Sequence, residues 1–496
     1  MTRRVAYLHS RQLLHAADQL PANEGRASLV HHLISALGLL QDTNGDNPQD
    51  EQARARIVQP REAIKDELCR FHDPKYVDTL LGQETDAADS SGSEESDDSA
   101  VSPYEPTYGL SRLASSSAPP RKRQKTSTST SLGLQDDCPL FLSLALYSTL
   151  VAGASMTAAR LLRDGEADIA ISWAGGRHHA KRGEASGFCY VNDIVLAIME
   201  LKRAPRSPPP PPASSDHPSP PASPPWPPPP PQTMAKRFSR ILYLDLDLHH
   251  GDGVESAFFT TPSVLTLSIH LHAPLFFPAS GALFSTGPTN SKALGALHAL
   301  NVALEPGCAG ETLERVWKSC VETVVEAYEP DAVVLQCGVD GLAGDPCKEW
   351  NLSLSALGSC VSRALSWNKP TLLLGGGGYD SPNAARAWAY LTSIALNRPL
   401  PLSTPIPASL PNPLYATFAP SFQLDVPSSL SSIRDKNTDL SLRRVEAAFE
   451  GFCEGLWGRY EGKKKGKKQK KKEEEEEQEE RGKVPTVGRA KGTAGV

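Results

Sequence analysis

Short apolar segments alternate with amphipathic ones along much of this 496-residue chain. The apolar segments have the length of buried strands, and we predict strands at residues 5–8, 167–173, 241–248, 264–269, 332–336 and 371–374. Apolar residues also recur at helical spacing, which predicts an amphipathic segment at 27–40 and helices at 147–163, 191–202, 311–328, 354–367 and 384–396. Apolar strands that alternate with helices are typical of α/β proteins. We therefore predict a central, mostly parallel sheet covered by helices on both faces.

Three tracts of biased composition interrupt or follow this pattern. Residues 81–136 are rich in Ser and acidic residues, residues 205–231 are mostly Pro, Ser and Ala, and residues 463–496 begin with Lys-rich and Glu-rich runs. Such tracts bury too little apolar surface to fold, so we predict that they lie outside the packed core. A basic cluster at 120–125 is either a nuclear import signal or a set of solvated charges, and both interpretations stay open.

Composition and charge argue against several classes of protein. The chain has 39% hydrophobic residues, which suits a folded core diluted by polar tracts, and its net charge of −6 does not favour a protein that binds nucleic acid along its whole length. Its nine cysteines include no Cys-x-x-Cys pair, which argues against a disulfide scaffold or a Cys-type zinc module. No apolar segment has the length of a signal peptide or a membrane span, so we expect a soluble intracellular protein.

The predicted strand at 241–248 contains the first chemical signal. Alternation would place Asp245, Asp247 and His249 on one face and leucines on the other. Two carboxylates and an imidazole are not buried together unless something compensates for their lost solvation. A divalent metal does so, and zinc accepts this set of ligands. The segment therefore predicts a metallohydrolase.

Polar clusters follow four of the predicted strands, at residues 175–179, 249–252, 338–340 and 375–379. Ligands of open parallel sheets bind beyond the carboxyl ends of the strands. We therefore expect the four clusters to form one site.

Each cluster by itself has a second interpretation. His178 and His179 could be a hydrogen-bonded loop pair, and Asp252 and Asp340 could be turn or cap residues. The glycines at 375–378 do not form a phosphate-binding P-loop, since no Lys-Ser/Thr pair follows them. The interpretation as one catalytic site depends on the clusters occurring together.

Four motifs in and near these clusters resemble one family. They are Trp-Ala-Gly-Gly-Arg-His-His-Ala-Lys at 173–181, Glu-Ala-Ser-Gly-Phe-Cys-Tyr-Val-Asn-Asp at 184–193, Leu-Asp-Leu-His-His-Gly-Asp-Gly at 246–253 and Gly-Gly-Gly-Gly-Tyr at 375–379. Together they resemble the class I, zinc-dependent histone deacetylases, from about Ala6 to Leu400. The resemblance implies a single arginase/deacetylase-like catalytic domain at 1–400, with low-complexity insertions at 81–136 and 205–235. A partly helical extension at 401–462 and a disordered tail at 463–496 would follow it.

The resemblance also implies roles for the polar residues. Three match the zinc ligands of the family: Asp247, His249 and Asp340. Five match its catalytic residues: His178, His179, Tyr379, Asp245 and Asp252. In this assignment His179 is the general base and then the acid, His178 acts mainly through its charge, and Tyr379 stabilises the oxyanion. The aspartates Asp245 and Asp252 would orient the two imidazoles.

Further residues match the substrate channel and two potassium sites of the family. The channel residues are Asp137, Gly187, Phe188, Phe277 and Cys347, with Asp136 as the alternative to Asp137. The potassium ligands are Asp245, Asp247, His249, Ser268 and Ile269 at one site and Phe258, Thr261 and Val264 at the other. The Phe-Phe-Pro segment at 276–278 would by itself indicate core packing, so a channel role for Phe277 depends on the resemblance.

The chain departs from the family pattern at three places. Cys347 stands where Leu or Met is usual, which implies a different substrate or inhibitor preference. Pro346 and Pro382 stand where corepressor-bound members hold an inositol phosphate with arginines, so we expect no inositol phosphate. In this respect the chain resembles histone deacetylase 8. The segment Leu-His-Ala-Pro at 271–274 is less basic and less aromatic than usual, which implies an altered channel loop.

The resemblance implies a histone deacetylase that hydrolyses acetyl-lysine to lysine and acetate and acts in chromatin regulation and transcriptional repression. Expected cofactors are Zn²⁺, with Fe²⁺ as the alternative in cells, and structural K⁺. Expected partners are acetylated histone tails and corepressor proteins, without sequence-specific DNA binding or a membrane. The expected location is the nucleus, with the cytoplasm as an alternative. Two other functions stay open: an acetylpolyamine amidohydrolase on the same fold, and a non-catalytic scaffold that binds acetyl-lysine.

Overall fold

The computed structural model describes residues 3–41, 54–82, 132–205, 237–430 and 432–482. Most of the two predicted insertions and the whole basic cluster at 120–125 lie outside the described residues.

A parallel sheet is the centre of the fold. Its strands are β1 (Val5–Leu8), β2 (Arg56–Val58), β3 (Ile169–Ser172), β4 (Ile241–Asp245), β5 (Val264–Leu271), β6 (Ala299–Leu304), β7 (Ala332–Gln336) and β8 (Thr371–Leu374). Within the described residues these eight strands form one sheet in the order β2-β1-β3-β8-β7-β4-β5-β6. Each neighbouring pair is parallel. The predicted α/β fold with a parallel central sheet is confirmed.

Helices cover the sheet on both faces. They are α1 (Arg11–Asp18), α2 (Arg26–Ala36), α3 (Lys65–Leu68), α4 (Pro74–Leu80), α5 (Leu144–Arg163), α6 (Asp193–Leu201), α7 (Asp252–Phe258), α8 (Gly310–Val316), α9 (Thr323–Tyr328), α10 (Leu354–Ser366), α11 (Ser381–Ala395), α12 (Asn412–Ala416) and α13 (Asp439–Gly482). The sheet divides the hydrophobic core into two halves, and alternate residues of β4 point into opposite halves. Leu242 and Leu244 belong to the half of the core that contains residues of α2, α10 and α11, whereas Ile241 and Tyr243 belong to the half that contains residues of α5 and α6.

The end of β4 differs from the prediction. The strand was predicted to reach residue 248, but it ends at Asp245, so alternation along a strand does not place Asp247 and His249. The reason is that, beyond Asp245, hydrogen bonds to side chains replace those between neighbouring strands. The Asp245 carboxylate accepts the Asp247 backbone N–H at 3.1 Å, and the Asp247 carboxylate accepts that of His249 at 3.0 Å. Side-chain bonds of this kind compete with sheet pairing.

Two strands and one helix interruption escaped the prediction. Strand β2 has three residues, too few for a periodic signal, and β6 contains a polar residue, Asn301, whose amide donates to Glu255 at 2.9 Å. The predicted helix at 311–328 consists of α8 and α9 separated by a π-helical turn, Trp317–Glu322. The amphipathic segment predicted at 27–40 is helical only as far as Ala36.

The first insertion ends earlier than predicted. Residues 132–136 are described, and the backbone N–H of Ala185 donates to the carbonyl of Leu132 at 2.9 Å. A Cβ on Gly133 would lie 2.0 Å from the carbonyl oxygen of Ala185, so this segment passes very close to the loop that carries the predicted channel residues. It belongs to the packed domain and not to an insertion.

The chain beyond residue 400 packs against the same core. Phe418, Val426 and Phe449 are buried in the half of the core that contains α10 and α11. Helix α13 enters the tail for which we predicted disorder (463–496), and its backbone is helical as far as Gly482. Among the helices of the described segments, none is both long enough and apolar enough to cross a membrane.

Candidate active site

Glycine turns after two neighbouring strands bring the histidine pair to the edge of the sheet. Gly176, in the turn after β3, has φ +92°, and a Cβ there would lie 2.1 Å from the carbonyl oxygen of Gly375 after β8. The carboxylate of Asp193 accepts the backbone N–H groups of Gly176 at 3.0 Å and Arg177 at 2.8 Å. These contacts fix the backbone that leads into His178 and His179.

Each histidine of the pair contacts its own carboxylate. Nδ1 of His178 lies 2.8 Å from Asp245, and Nδ1 of His179 lies 2.8 Å from Asp252. Both imidazoles are buried, and their ring centroids are 3.9 Å apart. A carboxylate on Nδ1 orients the ring and leaves proton exchange to Nε2.

The two carboxylates have different surroundings. Asp245 is fully buried and accepts the hydroxyl of Tyr243 at 2.5 Å. Asp252 is the first residue of α7, its side chain is 13% exposed, and it also forms an ion pair with the ammonium group of Lys181. The histidine pair therefore faces one enclosed carboxylate and one whose charge is shared with a cation.

The three predicted metal ligands meet beside this pair. Nδ1 of His249 lies 3.3 Å from a carboxylate oxygen of Asp247 and 2.9 Å from one of Asp340, and all three side chains are buried. Burial, and then the charge of Asp247, raise the pKa of the Asp340 carboxyl. Two carboxylates this close and this enclosed need a cation to remain ionised together.

Two glycines leave the space that the carboxylates of this centre occupy. A Cβ on Gly338 would lie 2.1 Å from the Asp247 carboxylate, and one on Gly377 would lie 2.2 Å from that of Asp340. The donor set of two carboxylates and an imidazole suits zinc, and iron(II) accepts similar ligands. The residues present therefore fit a divalent transition metal.

Sequence reasoning missed a residue that holds one of these ligands. The amide nitrogen of Gln336 donates to Asp247 at 2.8 Å, and its amide oxygen accepts the backbone N–H of Gly338 at 2.7 Å. The backbone N–H of Gly377 donates to the same Asp247 oxygen at 2.8 Å. A polar residue at the end of an otherwise apolar strand, as Gln336 is in β7, was the available signal.

Tyr379 and Cys347 are held by a second residue that the sequence analysis did not assign. The carboxylate of Asp345 accepts the backbone N–H of Cys347 at 2.9 Å and that of Tyr379 at 2.8 Å. Burial, and then the charge of Asp340, raise the pKa of Asp345 to about 7. Burial raises the pKa of Tyr379 well above its usual value, so its phenol remains protonated and able to donate.

A buried arginine near the start of the chain supports the glycine loop, residues 375–378 after β8. The guanidinium of Arg26, in α2, donates to the carbonyl oxygens of Gly378 at 2.7 Å and Gly376 at 3.1 Å. It also lies 4.7 Å from the centre of the Trp388 ring. No sequence signal pointed to Arg26, because its partners lie about 350 residues away in the chain.

Aromatic side chains lie next to these groups. The Phe277 ring lies 4.8 Å from that of His179, and the Phe188 ring lies 5.8 Å from that of Tyr379. Gly187 lies between these groups. A Cβ at that position would be 2.5 Å from the His179 ring and 2.9 Å from that of Phe277.

The rim and potassium residues are located as follows. Asp137 accepts the backbone N–H of Gly187 at 2.9 Å, whereas its alternative, Asp136, is exposed in a left-handed turn.

Asp245 and Ser268 are register partners in β4 and β5, with Ile269 next along β5. The backbone N–H of Thr261 donates to Phe258 in the turn that leads to Val264. The potassium assignments stay predictions.

Cys347 lies close to two of the predicted metal ligands. One ligand atom each from His249, Asp340 and Cys347 lies within 4.8 Å of the other two. The thiol therefore borders the predicted metal centre.

The assembled groups have the properties that amide hydrolysis requires. A metal centre can polarise a carbonyl group, a carboxylate-bound imidazole can transfer protons, and a protonated phenol can donate to an oxyanion. These groups come from the ends of four neighbouring strands, β3, β8, β7 and β4, as expected from the polar clusters.

Comparison with known proteins gives a consistent match. Residues 20–207 and 232–395 match the histone deacetylase domain. Histone deacetylase 8 of Danio rerio is 34% identical over 452 residues, which are 91% of this chain and 95% of that protein. Histone deacetylase 8 of Xenopus tropicalis is 33% identical over 90% of this chain and 96% of its own length. Histone deacetylase 1 of Homo sapiens is 33% identical over 86% of this chain and 70% of its own length.

Proposed function

Since this chain belongs to the histone deacetylase family, we propose that it is a zinc-dependent hydrolase that removes acetyl groups from lysine side chains of histones. The observation that carries the proposal is the proximity of two His–Asp pairs to the set Asp247, His249 and Asp340. Together with Tyr379, these side chains fill each role that the hydrolysis needs.

Asp247, His249 and Asp340 would hold the zinc ion, and their burial suits a charged ligand set that a metal neutralises. When bound, zinc supplies Lewis acidity, which polarises the acetyl carbonyl and makes water more acidic.

Proton transfer is the task of the histidine pair. His179 accepts a proton from the attacking water at Nε2, because Asp252 occupies its Nδ1, and returns that proton to the departing lysine amine. His178, held by the enclosed carboxylate of Asp245, contributes charge beside it. The phenol of Tyr379 donates a hydrogen bond to the oxyanion as it forms.

The walls of the site suit an acetylated lysine. Phe188 and Phe277 present aromatic surface on the approach to Tyr379 and His179, and apolar walls accommodate the methylene stem of the side chain. Gly187 lets this stem pass, since a side chain there would meet the His179 ring. Asp137, half-buried beside Gly187, is available to the backbone of the bound peptide.

We further propose that the protein acts in the nucleus on acetylated histone tails, in chromatin regulation and transcriptional repression, with corepressor proteins as partners. Pro346 and Pro382 carry no charge, which supports activity without an inositol phosphate. Iron(II) is the alternative metal, and K⁺ is proposed to have a structural role.

The test compares acetate release from an acetylated histone peptide and from acetylspermidine, using zinc-loaded protein and a Tyr379→Phe variant. We expect the peptide to be the better substrate and the variant to be slower by about 10²- to 10³-fold, the usual effect of losing one oxyanion donor. Tyr415→Phe is the matched control, because that ring stacks on Phe422 outside the site. Faster cleavage of acetylspermidine would favour a polyamine amidohydrolase. No acetate release from either substrate, with zinc bound, would favour a non-catalytic scaffold.

A further inference from the structure

Cys347 is positioned by the same carboxylate that positions Tyr379. Asp345 accepts the backbone N–H of each, at 2.9 and 2.8 Å, and the Cys347 side chain also hydrogen-bonds to Asp345. Gly344, directly before Asp345, has φ +84°, which a residue with a side chain would rarely adopt. These contacts fix the backbone of Cys347, although the residue is in a loop.

The thiol forms a cluster with two of the proposed zinc ligands. Ligand atoms of His249, Asp340 and Cys347 lie within 4.8 Å of one another, and the first two are 2.9 Å apart through Nδ1 of His249. Ligand atoms around a tetrahedral zinc ion are about 3–4 Å apart, given metal–ligand distances of about 2.0–2.3 Å. The limit of 4.8 Å is somewhat longer than this spacing, so coordination by Cys347 requires its side chain to turn from Asp345 towards the ion.

We propose that Cys347 is a fourth protein ligand of the bound metal in the substrate-free protein, an inference that rests on the proposed zinc-dependent function. Asp247, His249 and Asp340 supply three ligands, and zinc is satisfied by four. The thiol gives its proton to solvent when its sulfur binds the ion. The Cys347 sulfur would have to leave the ion before water and the substrate carbonyl could bind there.

This fourth ligand also affects which metal the site prefers. Carboxylate and imidazole ligands accept both zinc and iron(II), whereas thiolate is a softer ligand that suits zinc. The side chains usual at this position in the family, Leu and Met, cannot supply a thiolate. Cys347 therefore favours zinc over iron(II) in this chain.

The test is X-ray absorption spectroscopy of the full chain loaded with one zinc ion and no substrate. We expect one sulfur neighbour at about 2.3 Å from zinc in the wild-type protein. The neighbour should be absent in Cys347→Leu and present in Cys69→Ser. Cys69 is the matched control, because all nine cysteines are described and it is the other half-buried one.

A competition titration adds a readout of metal preference. The ratio of zinc affinity to iron(II) affinity should fall by about tenfold or more in Cys347→Leu and stay unchanged in Cys69→Ser. A wild-type spectrum without sulfur, a sulfur neighbour that persists in Cys347→Leu, or an unchanged affinity ratio would each overturn the inference.

The same samples separate this inference from the proposed function. Acetate release from the histone peptide without a zinc–sulfur neighbour would overturn the role of Cys347 and leave the deacetylase proposal in place. A zinc–sulfur neighbour without acetate release would do the reverse. Failure of the wild-type chain to bind zinc would overturn both.

Discussion

His178 and His179 differ in the carboxylate that each one contacts. Asp245, the partner of His178, is fully buried, whereas the carboxylate of Asp252, the partner of His179, is shared with the Lys181 ammonium group. The negative charge that faces His179 is therefore partly balanced, and that of Asp245 acts in an enclosed environment of low polarity. This difference supports a division of labour in which His179 exchanges protons and His178 contributes charge.

The Asp252→Asn substitution tests the part of His179. An amide nitrogen at this position can donate to Nδ1, which favours the imidazole tautomer with its proton on Nε2, and that tautomer cannot accept a proton there. We expect kcat for the acetylated histone peptide to fall by about 10²-fold or more, the scale of general acid–base catalysis, with little change in KM. Steady-state acetate release measures both constants.

The matched control is Asp73→Asn. Asp73 also pairs with a basic residue, Arg182, at 2.7 Å, but both side chains are largely exposed. Exposed pairs contribute about 0–1 kcal/mol, so this variant should keep the wild-type kcat. A kcat for Asp252→Asn close to that of Asp73→Asn would contradict the assigned role.

The residues that the motifs contain could be predicted from the sequence, and those that support them could not. His178, His179 and Asp340 stand out because charged and ionisable side chains follow apolar strands. Gln336 and Arg26 act through hydrogen bonds to Asp247 and to the glycine loop, and these contacts exist only after the strands have been brought together. Their residue types are ordinary, so only the tertiary structure identifies them.

Among the elements, the turn after β8 leaves space for one of the proposed zinc ligands. Gly376 has φ +159° and Gly378 has φ +130°, whereas Gly377 between them has no positive φ. Gly377 is nevertheless crowded, because a Cβ there would lie 2.2 Å from the Asp340 carboxylate. Its role is therefore to leave space for a proposed zinc ligand and not to provide backbone freedom.

Gly377→Ala should weaken zinc binding more than it weakens the fold. The added methyl group must displace the Asp340 carboxylate, while the backbone conformation tolerates alanine. We expect the zinc affinity, measured by competition with a chelator, to fall by about 10- to 100-fold, as when residues next to metal ligands are replaced. Gly458→Ala in α13 is the control, because a Cβ there meets nothing within 4 Å. Equal zinc affinities in the two variants would contradict this role for Gly377.

Element boundaries were the less predictable part of the fold. Strands β7 and β8 appear at the predicted residues because they are buried on both faces and are apolar apart from one terminal residue each, Gln336 in β7 and Thr371 in β8. Strand β4 ends three residues early, because the carboxylates of Asp245 and Asp247 accept the backbone N–H groups of the residues that follow. Sequence periodicity cannot detect such local competition between side chains and the sheet ladder.

In the molecule as a whole, buried and half-buried histidines make the stability of the fold depend on pH. Burial lowers the pKa of His72 to about 4, that of His9 to about 4 and that of His31 to about 3, and it lowers that of His270 well below 6.5. In the folded protein these side chains are therefore neutral at pH values where they are protonated in the unfolded chain. Their contribution to stability is fully present above pH 6.5 and is lost as the pH falls from 6.5 towards the folded-state pKa of each histidine.

His72 is the residue with which this acid sensitivity can be tested. Its Nε2 accepts the backbone N–H of Asn192 at 3.0 Å, so protonation of His72 would break a bond at the N-terminal cap of α6. Each such histidine should make the free energy of unfolding fall by up to about 1.4 kcal/mol per pH unit below 6.5. Urea unfolding at pH 6.5 and 5 should therefore show a smaller pH-dependent loss in His72→Gln than in the wild-type protein, even if the variant is less stable at both pH values. The exposed His15, replaced in His15→Gln, should retain the wild-type loss. An equal loss in both variants would mean that His72 takes up its proton without unfolding.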